Sequence, residues 1–311
     1  MECKAYCSTA NLGPGFDTFG LALDKYFDLV RVRKTDKRRI RIILKGPLGK
    51  GLPTNLDRNS AGPPTSAMLQ MAEARGGLSI EVEKNVPVGQ GLGSSGATAA
   101  ACVKAVDKIL ELNLSDEKLV DLASLGEAAV AGTPHTDNVA ASILGGFAVT
   151  FGKHPLRAFS IRPPRNLVVA VVTPRIRLPA RKTRFSRGLI PKTISVGKAV
   201  LNIGRASAIV AGLCQENIPL AGSGMLDEIA EPYRMKLIPG YTAVREAALS
   251  AGASGVGISG AGPSVVALVD DTRYSPVKIG EVMIREFRRY RIKATWFASK
   301  AGPPATVVRK K

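Results

Sequence analysis

The hydrophobic positions change period several times in the first half of the chain. Alternation with a period of two predicts strands, and apolar residues three or four positions apart predict helices. The predicted strands span residues 3–7, 21–33, 40–44 and 78–84, and the predicted helices span residues 59–74, 95–112 and 115–132. Ser115 is typical of a helix N-cap, and Gly132 of the position after a helix end. Residues 135–146 predict a short helix running into a strand.

The second half begins with residues 147–173, which are dominated by strand patterns. The remaining predictions are helices at 196–214, 242–251 and 277–289, and strands at 255–259, 265–269 and 294–299. Helices and strands interleave without a regular strand–helix repeat, which favours an α+β fold over a doubly wound sheet. A domain boundary is predicted within residues 152–164. We place it after residue 154, so the predicted domains are 1–154 and 155–311.

Composition narrows the class of protein. The chain has 311 residues, of which 45% are hydrophobic and 22% charged, as in an ordinary soluble protein. No apolar run predicts a membrane span and the N-terminus does not resemble a signal peptide, so we expect a cytoplasmic protein. Cys3, Cys7, Cys102 and Cys214 form no CxxC pair, and the chain has two histidines. Reduced core cysteines are therefore expected rather than a zinc or redox site.

The net charge of +19 is the unusual feature of the composition. Basic residues cluster at 31–41, 175–187 and 285–293, which would suit a nucleic acid partner. Aromatic residues make up 5% of the chain and do not interleave with these clusters as base stacking requires. Solvated basic faces, with a field that attracts small polyanions, are the favoured interpretation. We expect no specific nucleic acid partner.

The segment PVGQGLGSSG, residues 87–96, carries the strongest chemical signal. Its glycines permit positive φ and close approach to a ligand, and two serines then open an alanine-rich helix whose N-terminus suits an anion. The segment also matches the GxGxxG dinucleotide pattern, but no second strand follows to carry the acidic residue. A Walker loop is absent. A phosphate-binding loop is predicted, with a ligand-free glycine turn as the alternative.

Two further segments, read together with this loop, form a pattern of three motifs. STANLGPGFD lies at residues 8–17 and GVGISGAGPS at residues 255–264. In order and spacing, the three segments resemble the three motifs of the GHMP kinases, the family of galactokinase, homoserine kinase and mevalonate kinase. The first motif resembles the homoserine kinase branch, as do GEAAVAG, HTDNVA and EPYRMKLIP further along. The resemblance covers about residues 3–270. It implies an N-terminal domain like ribosomal protein S5 domain 2 and a ferredoxin-like C-terminal domain, with substrates between them.

The resemblance implies a kinase that transfers the γ-phosphate of ATP, with Mg²⁺, to the hydroxyl of L-homoserine for threonine biosynthesis. The expected ATP-binding residues are Pro87, Val88, Gly89, Gln90, Gly91, Leu92, Gly93, Ser94, Ser95 and Gly96, with Asn59 near the adenine. Asn59 is equally compatible with a helix N-cap. Ser95 and Glu127 are the expected Mg²⁺ ligands.

Homoserine is a zwitterion, so its site needs groups of both charges. By motif matching, Asn11 and Asp17 would take the ammonium group. Arg187 and Arg234 would bind the carboxylate, as the planar guanidinium suits. His135, Thr183 and Asn138 would line the rest of the site.

Asn138, Glu127 and Ser95 are the expected catalytic residues. Asn138 stands where mevalonate-type relatives carry an aspartate, and an amide cannot accept a proton at neutral pH. Asp137 is adjacent but is expected to point elsewhere. The hydroxyl is therefore expected to attack without a dedicated base, and residues 257–264 to brace the phosphate loop.

Three other interpretations stay open. The acceptor could be another small alcohol, such as shikimate, mevalonate or pantoate. The chain could be a catalytically silent binding protein of the same fold, although Ser95 and Glu127 argue against that. It could also bind nucleic acid through its basic clusters. The sequence is compatible with a homodimer but does not give the oligomeric state.

Overall fold

The computed structural model describes residues 1–152, 155–179 and 182–308. The first sheet is built on a long hairpin in which TANLGPGFD forms the turn. Its strands are β1 (Glu2–Asn11), β2 (Gly15–Thr35), β3 (Ile40–Lys45), β4 (Gly77–Glu83), β5 (Phe147–Phe151), β6 (Arg157–Ile161) and β11 (Thr306–Val307). The main order is β11-β1-β2-β4-β3, and β5 pairs with both β2 and β6. Strands β3 and β4 run parallel and the other pairs are antiparallel.

Four helices pack against the first sheet. They are α1 (Gly62–Met71), α2 (Ser94–Leu110), α3 (Asp116–Ala131) and α4 (Thr136–Leu144). The inward residues of the strands, such as Val30 and Ile80, are fully buried against the alanines of α2. Alanine side chains allow α2 to lie close to the sheet, so this helix and the loop before it are fixed by the core.

The second sheet contains four antiparallel strands in the order β10-β7-β9-β8. They are β7 (Leu167–Pro174), β8 (Gly255–Ile258), β9 (Val265–Asp270) and β10 (Ala294–Ser299). Helices α9 (Tyr241–Ser250) and α10 (Pro276–Arg289) pack against one face. Counted along the chain the order is 4-1-3-2, with a helix after the first and third strands, which is the ferredoxin-like arrangement. The α+β prediction is therefore confirmed.

Strand β7 joins the two halves of the molecule. Val169 and Val171 are buried in a cluster with Leu21 and Phe147 of the first sheet. Their neighbours Ala170 and Val172 face the other way and pack in the cluster with α9 and α10. Because both faces of β7 are buried, its sequence is continuously apolar rather than alternating.

In the described part of the chain, four α-helices and one 3-10 helix (Met235–Leu237) lie between β7 and α9. The α-helices are α5 (Lys182–Gly188), α6 (Val196–Cys214), α7 (Ile218–Ser223) and α8 (Glu231–Arg234). Over the described residues, α6 alone is long and apolar enough, by length and composition, to cross a membrane. The sequence analysis had predicted no such segment, because no uninterrupted apolar run approaches the length of a membrane span. In the fold, Asn202 donates to Asp227 (2.8 Å) and Arg205 pairs with Glu228 (2.8 Å).

Three details differ from the sequence predictions. Strand β6 pairs with β5, so the first sheet extends to Ile161, beyond the boundary placed after residue 154. The end of the chain returns to the first sheet as β11. Cys214 is exposed, whereas Cys3, Cys7 and Cys102 are buried as expected. Sequence patterning shows that a strand exists but not which sheet it joins.

Candidate active site

A cavity of about 310 Å³ opens between the two halves of the molecule. The first domain contributes the glycine loop, Glu127 of α3 and the start of α4. The second contributes the first turn of α5, Arg234 of α8 and the loop after β8. The three motifs meet here, although almost 250 residues separate the first from the third.

The glycine loop is held by backbone and hydroxyl contacts. Gly89, Gly91 and Gly93 have φ of 73°, 79° and 61°, a region that other L residues rarely adopt. A Cβ atom at Gly91 would lie 2.4 Å from the Ser259 carbonyl oxygen. The Ser259 hydroxyl donates to the Gly91 carbonyl oxygen (2.5 Å) and lies within hydrogen-bond distance of the Thr9 hydroxyl (2.8 Å). The third motif thus braces the phosphate loop, as predicted.

Helix α2 begins at Ser94 without a side-chain cap, because its N-cap residue is Gly93, and the Ser94 hydroxyl donates to the Val86 carbonyl oxygen (2.9 Å). The N–H groups of its first turn therefore remain available at the cavity wall, where the helix dipole is positive. Such a helix N-terminus suits an anion, so the loop geometry is compatible with the predicted phosphate-binding loop.

A buried ion pair lies beneath the loop. The Lys84 ammonium contacts the Asp28 carboxylate, donates to the Ser94 carbonyl oxygen (2.5 Å) and reaches Thr98 Oγ1 (2.7 Å). Asp28 is fully buried and its other oxygen accepts the N–H groups of Asn85 and Val86, both at 2.9 Å. Sequence reasoning missed this network. The available signal was an aspartate within an otherwise apolar stretch of β2.

Glu127 lies at the side of the cavity with an incomplete set of partners. It is 5% exposed, and within the described residues its Oε1 atom has no hydrogen-bond partner. Burial raises the pKa of Glu127, while a hydrogen bond from Ser95 and the charge of Lys84 oppose that shift. The structure therefore brings Ser95 and Glu127 together.

Asn59 has a bracing role in the fold. Its Nδ2 donates to the Pro53 carbonyl oxygen (2.7 Å) and its Oδ1 accepts the Ala61 N–H (3.0 Å). Both halves of the amide are thus engaged at the cavity wall. The predicted helix from residue 59 starts too early, since α1 begins at Gly62 with a proline in its first turn. Asn59 therefore precedes the helix and closes a local turn.

The predicted acceptor residues converge on the same cavity. Its lining includes Asn11, Asp17, His135, Asn138, Thr183 and Arg234. Arg187 reaches the group through its ion pair with Asp17 (2.5 Å). The sequence analysis had assigned these two residues to opposite ends of the acceptor, so their direct pairing was not expected.

The aromatic ring of Phe16 contacts the guanidinium groups of two arginines. The guanidinium carbons of Arg187 and Arg234 lie 5.1 and 5.0 Å from the centre of its ring. Arg234 also donates to the Gly260 carbonyl oxygen (2.9 Å), which Asn11 Nδ2 contacts too (3.0 Å). Within the described residues, the buried Nε atoms of both arginines lack a hydrogen-bond partner. Cation–π contacts can hold guanidinium groups near each other without a carboxylate for each. Phe16 was missed because one aromatic residue in a turn carries no periodic signal.

The start of α4 supplies the remaining polar groups. Asn138 Oδ1 accepts a hydrogen bond from Ser8 Oγ (2.9 Å). Asp137 lines the cavity and accepts the backbone N–H of Asn138 (2.7 Å), so the expectation that it points elsewhere was wrong. Burial, with the nearby charge of Asp17, raises the pKa of Asp137 to about 7. Burial lowers the pKa of His135 to about 4, so its imidazole is neutral near pH 7.

Two family models match the chain. "GHMP kinases N terminal domain" matches residues 64–146, and "GHMP kinases C terminal" matches residues 209–280. These ranges contain the phosphate loop, Glu127, Asn138 and the third motif.

Individual proteins match over most or all of the chain. A homoserine kinase of Aeropyrum pernix is 44% identical over 270 residues, which are 86% of each chain. A homoserine kinase of Haloarcula marismortui is 37% identical over 99% of each chain. Among solved structures, a homoserine kinase from Cytophaga hutchinsonii superposes with a TM-score of 0.90 at 33% identity. That match covers 99% of this chain and 97% of the other.

Proposed function

The chain belongs to the homoserine kinases within the GHMP kinase family, and from this membership we propose the individual roles of the cavity residues. The protein is an ATP-dependent kinase that phosphorylates a hydroxyl group. Its acceptor is L-homoserine and its product O-phospho-L-homoserine, an intermediate of threonine biosynthesis.

One observation carries the proposal for the site. A single cavity contains an anion-binding helix N-terminus and, beside it, side chains of both charges. The loop around Gly89 and Gly93, with the N–H groups of α2, would bind the phosphates of ATP. Phosphoryl transfer demands mainly position and positive charge from a protein, and both are present here.

The acceptor site would use the groups gathered around Phe16. Arg187 and Arg234 would bind the carboxylate of homoserine and Asp17 its ammonium group. Because Asp17 and Arg187 pair with each other in the unliganded protein, the zwitterion would exchange one internal ion pair for two pairs with the ligand. The unpartnered Nε atoms of both arginines support a carboxylate in this position.

Ser95 and Glu127 fit Mg²⁺. A buried carboxylate oxygen without a partner suits a small hard cation, and Mg²⁺ in kinases is often held by one or two protein groups together with substrate phosphates. Over the described residues no group of three His, Cys, Asp or Glu side chains forms a separate metal site. When bound, the ion would offset negative charge on the phosphates.

Asn138 would orient the acceptor hydroxyl through its amide. Its Oδ1 is held by Ser8, which leaves the Nδ2 side facing Asp137 and the cavity. An amide cannot accept the proton, so we retain the proposal that the hydroxyl attacks without a dedicated base.

The same proposal covers location and partners. We propose a cytoplasmic enzyme without a specific nucleic acid or membrane partner. Part of the basic cluster at 31–41 supports this, since Arg31 already pairs with Glu2 (2.6 Å) and Glu81 (2.9 Å) on the sheet surface. A homodimer stays a prediction.

An acceptor panel tests the assignment. The purified protein, ATP and Mg²⁺ are incubated with L-homoserine, shikimate, mevalonate or pantoate, and ADP release is measured. We expect kcat/KM to be highest with homoserine. A kcat/KM at least tenfold higher with one of the other alcohols would overturn the acceptor assignment, and no turnover with any of them would favour a silent member of the family.

A further inference from the structure

Lys182 lies at the junction of the two half-sites. It is the first residue of α5, the helix that also carries Thr183 and Arg187. Its ammonium group donates to the Gly89 carbonyl oxygen of the phosphate loop (3.0 Å) and to the Gly262 carbonyl oxygen of the third motif. A single side chain of the second domain thus contacts both glycine loops at the edge of the cavity.

The charge of Lys182 is not matched by a nearby carboxylate. Among the described residues no Asp or Glu oxygen lies within ion-pair distance of it. The other lysine at this cavity, Lys84, differs because Asp28 pairs with it. Burial and the charge of Arg234 lower the pKa of Lys182 to about 8. The ammonium group therefore sits where its charge is poorly stabilised, and an anion would relieve this.

The position of Lys182 indicates which anion it would contact. One partner oxygen belongs to the phosphate loop and the other to the third motif that braces it, while α5 itself carries proposed acceptor residues. The terminal phosphate of a nucleoside triphosphate has to lie between the loop and the acceptor for transfer to occur. A cation that spans these two regions is placed to contact that phosphate rather than the inner ones.

We propose that Lys182 is a phosphate-binding residue that recognises the terminal phosphate of ATP and thereby discriminates ATP from ADP. This inference deepens the proposed function and rests on ATP being the phosphate donor. The contacts to Gly89 and Gly262 hold the side chain at this position before the nucleotide arrives.

Nucleotide titrations without any acceptor test the proposal. Dissociation constants for ADP and for a non-hydrolysable ATP analogue are measured by calorimetry, with Mg²⁺ present, in the wild type, Lys182→Gln and Lys182→Met. Glutamine keeps an N–H donor for the carbonyl oxygens but removes the charge. We expect both variants to bind the ATP analogue about 10-fold or more weakly, and ADP less than about threefold more weakly.

Lys278→Met is the matched control, since Lys278 is exposed on α10 and does not line the cavity. It removes one positive charge and should leave both constants unchanged. If Lys182→Gln keeps the wild-type ratio of the two constants, the lysine only links the loops and the proposal is wrong, whatever happens to the melting temperature. Because no acceptor is present, a failure of the homoserine assignment would leave these titrations interpretable.

Discussion

The two halves of the cavity differ in the kind of group that carries charge toward a ligand. In the proposed nucleotide half, formed by the glycine loop at residues 87–96 and the start of α2, the groups that face the cavity are mostly backbone N–H groups. The buried ion pair between Lys84 and Asp28 supports this loop from below. On the acceptor side the charged side chains themselves face the cavity, and two of them, Asp17 and Arg187, neutralise each other.

This difference predicts different behaviour on binding. In the nucleotide half the N–H groups proposed to bind phosphate are already in place, and within the described residues Glu127 Oε1, the proposed Mg²⁺ ligand, has no hydrogen-bond partner. The acceptor half has to exchange internal partners for those of the ligand. Preorganised sites lose little affinity to rearrangement, whereas sites that exchange partners gain specificity for ligands that replace every lost contact.

The largest effect is expected from breaking the support beneath the phosphate loop. Asp28→Asn leaves the Lys84 ammonium buried without its carboxylate, and removing one partner of such a pair costs about 3–5 kcal/mol. We expect the free energy of unfolding, from urea titration, to fall by that amount. ATP affinity should decrease more than homoserine affinity, because the loop rests on this pair.

Asp116→Asn is the control for that variant. Asp116 pairs with Lys104 at 2.7 Å but is 53% exposed, and exposed pairs contribute at most about 1 kcal/mol. Equal destabilisation by the two variants would mean that the buried pair has no special role in holding the loop.

The next largest effect is a pH-dependent change in stability caused by Asp137 on the acceptor side. Its pKa is about 7 in the folded protein and about 3.9 when unfolded, so between these values the folded state binds the additional proton. The protonated Asp137 carboxyl group therefore makes its full contribution to the free energy of unfolding below pH 4, and this contribution is lost as the pH rises to 7. As the pH rises from 4 to 7, the free energy of unfolding of Asp137→Asn should therefore increase by about 2–4 kcal/mol relative to that of the wild type.

Urea titrations at a series of pH values measure this difference. Saturating homoserine should reduce it, because the ammonium group would favour the ionised carboxylate. A difference that does not change with pH would show that Asp137 is ionised throughout. The same variant also tests the proton proposal, since loss of a dedicated base would lower kcat by far more than about tenfold.

Removing charge at Glu127 tests the nucleotide half directly. Glu127→Gln should lower kcat by roughly 10²-fold, since it removes the carboxylate proposed to hold Mg²⁺ against the transferring phosphate. Steady-state kinetics at saturating Mg²⁺ provide the measurement. Glu117→Gln is the control: Glu117 lies in the first turn of the same helix, is partly exposed and pairs with Arg157 away from the cavity, so its loss should leave kcat unchanged. Near-normal turnover of Glu127→Gln would remove Glu127 from the proposed metal site.

The local structure of the nucleotide half could be predicted well from the sequence. Its proposed chemistry depends on backbone N–H groups, and the glycines and serines of residues 87–96 mark where the backbone is free to present them. Local sequence is sufficient because the loop and its helix are contiguous. The buried pair beneath it, Asp28 with Lys84, is 56 residues apart and has no local signature.

The acceptor half could be predicted only as a set of residues. Motif matching gathered Asn11, Asp17 and Arg234 correctly into one cavity. It could not show that Asp17 pairs with Arg187, that Phe16 lies beside both arginines, or that Asp137 faces the ligand space. These features depend on how α4, α5 and α8 pack around the turn between β1 and β2, which no single segment encodes.

The central claim is that the acceptor half recognises a zwitterion through its two arginines. The measurement is kcat/KM for homoserine and for 3-aminopropan-1-ol, which lacks the carboxylate, in the wild type, Arg187→Ala and Arg234→Ala. We predict that each substitution raises KM for homoserine about 10²-fold, from loss of a charge-assisted contact, while KM for ATP changes little. The alcohol without the carboxylate should lose little further activity, so discrimination between the two acceptors collapses. If both variants keep the wild-type KM and the wild-type preference for homoserine, the arginines do not bind the carboxylate and the account of the acceptor half is contradicted.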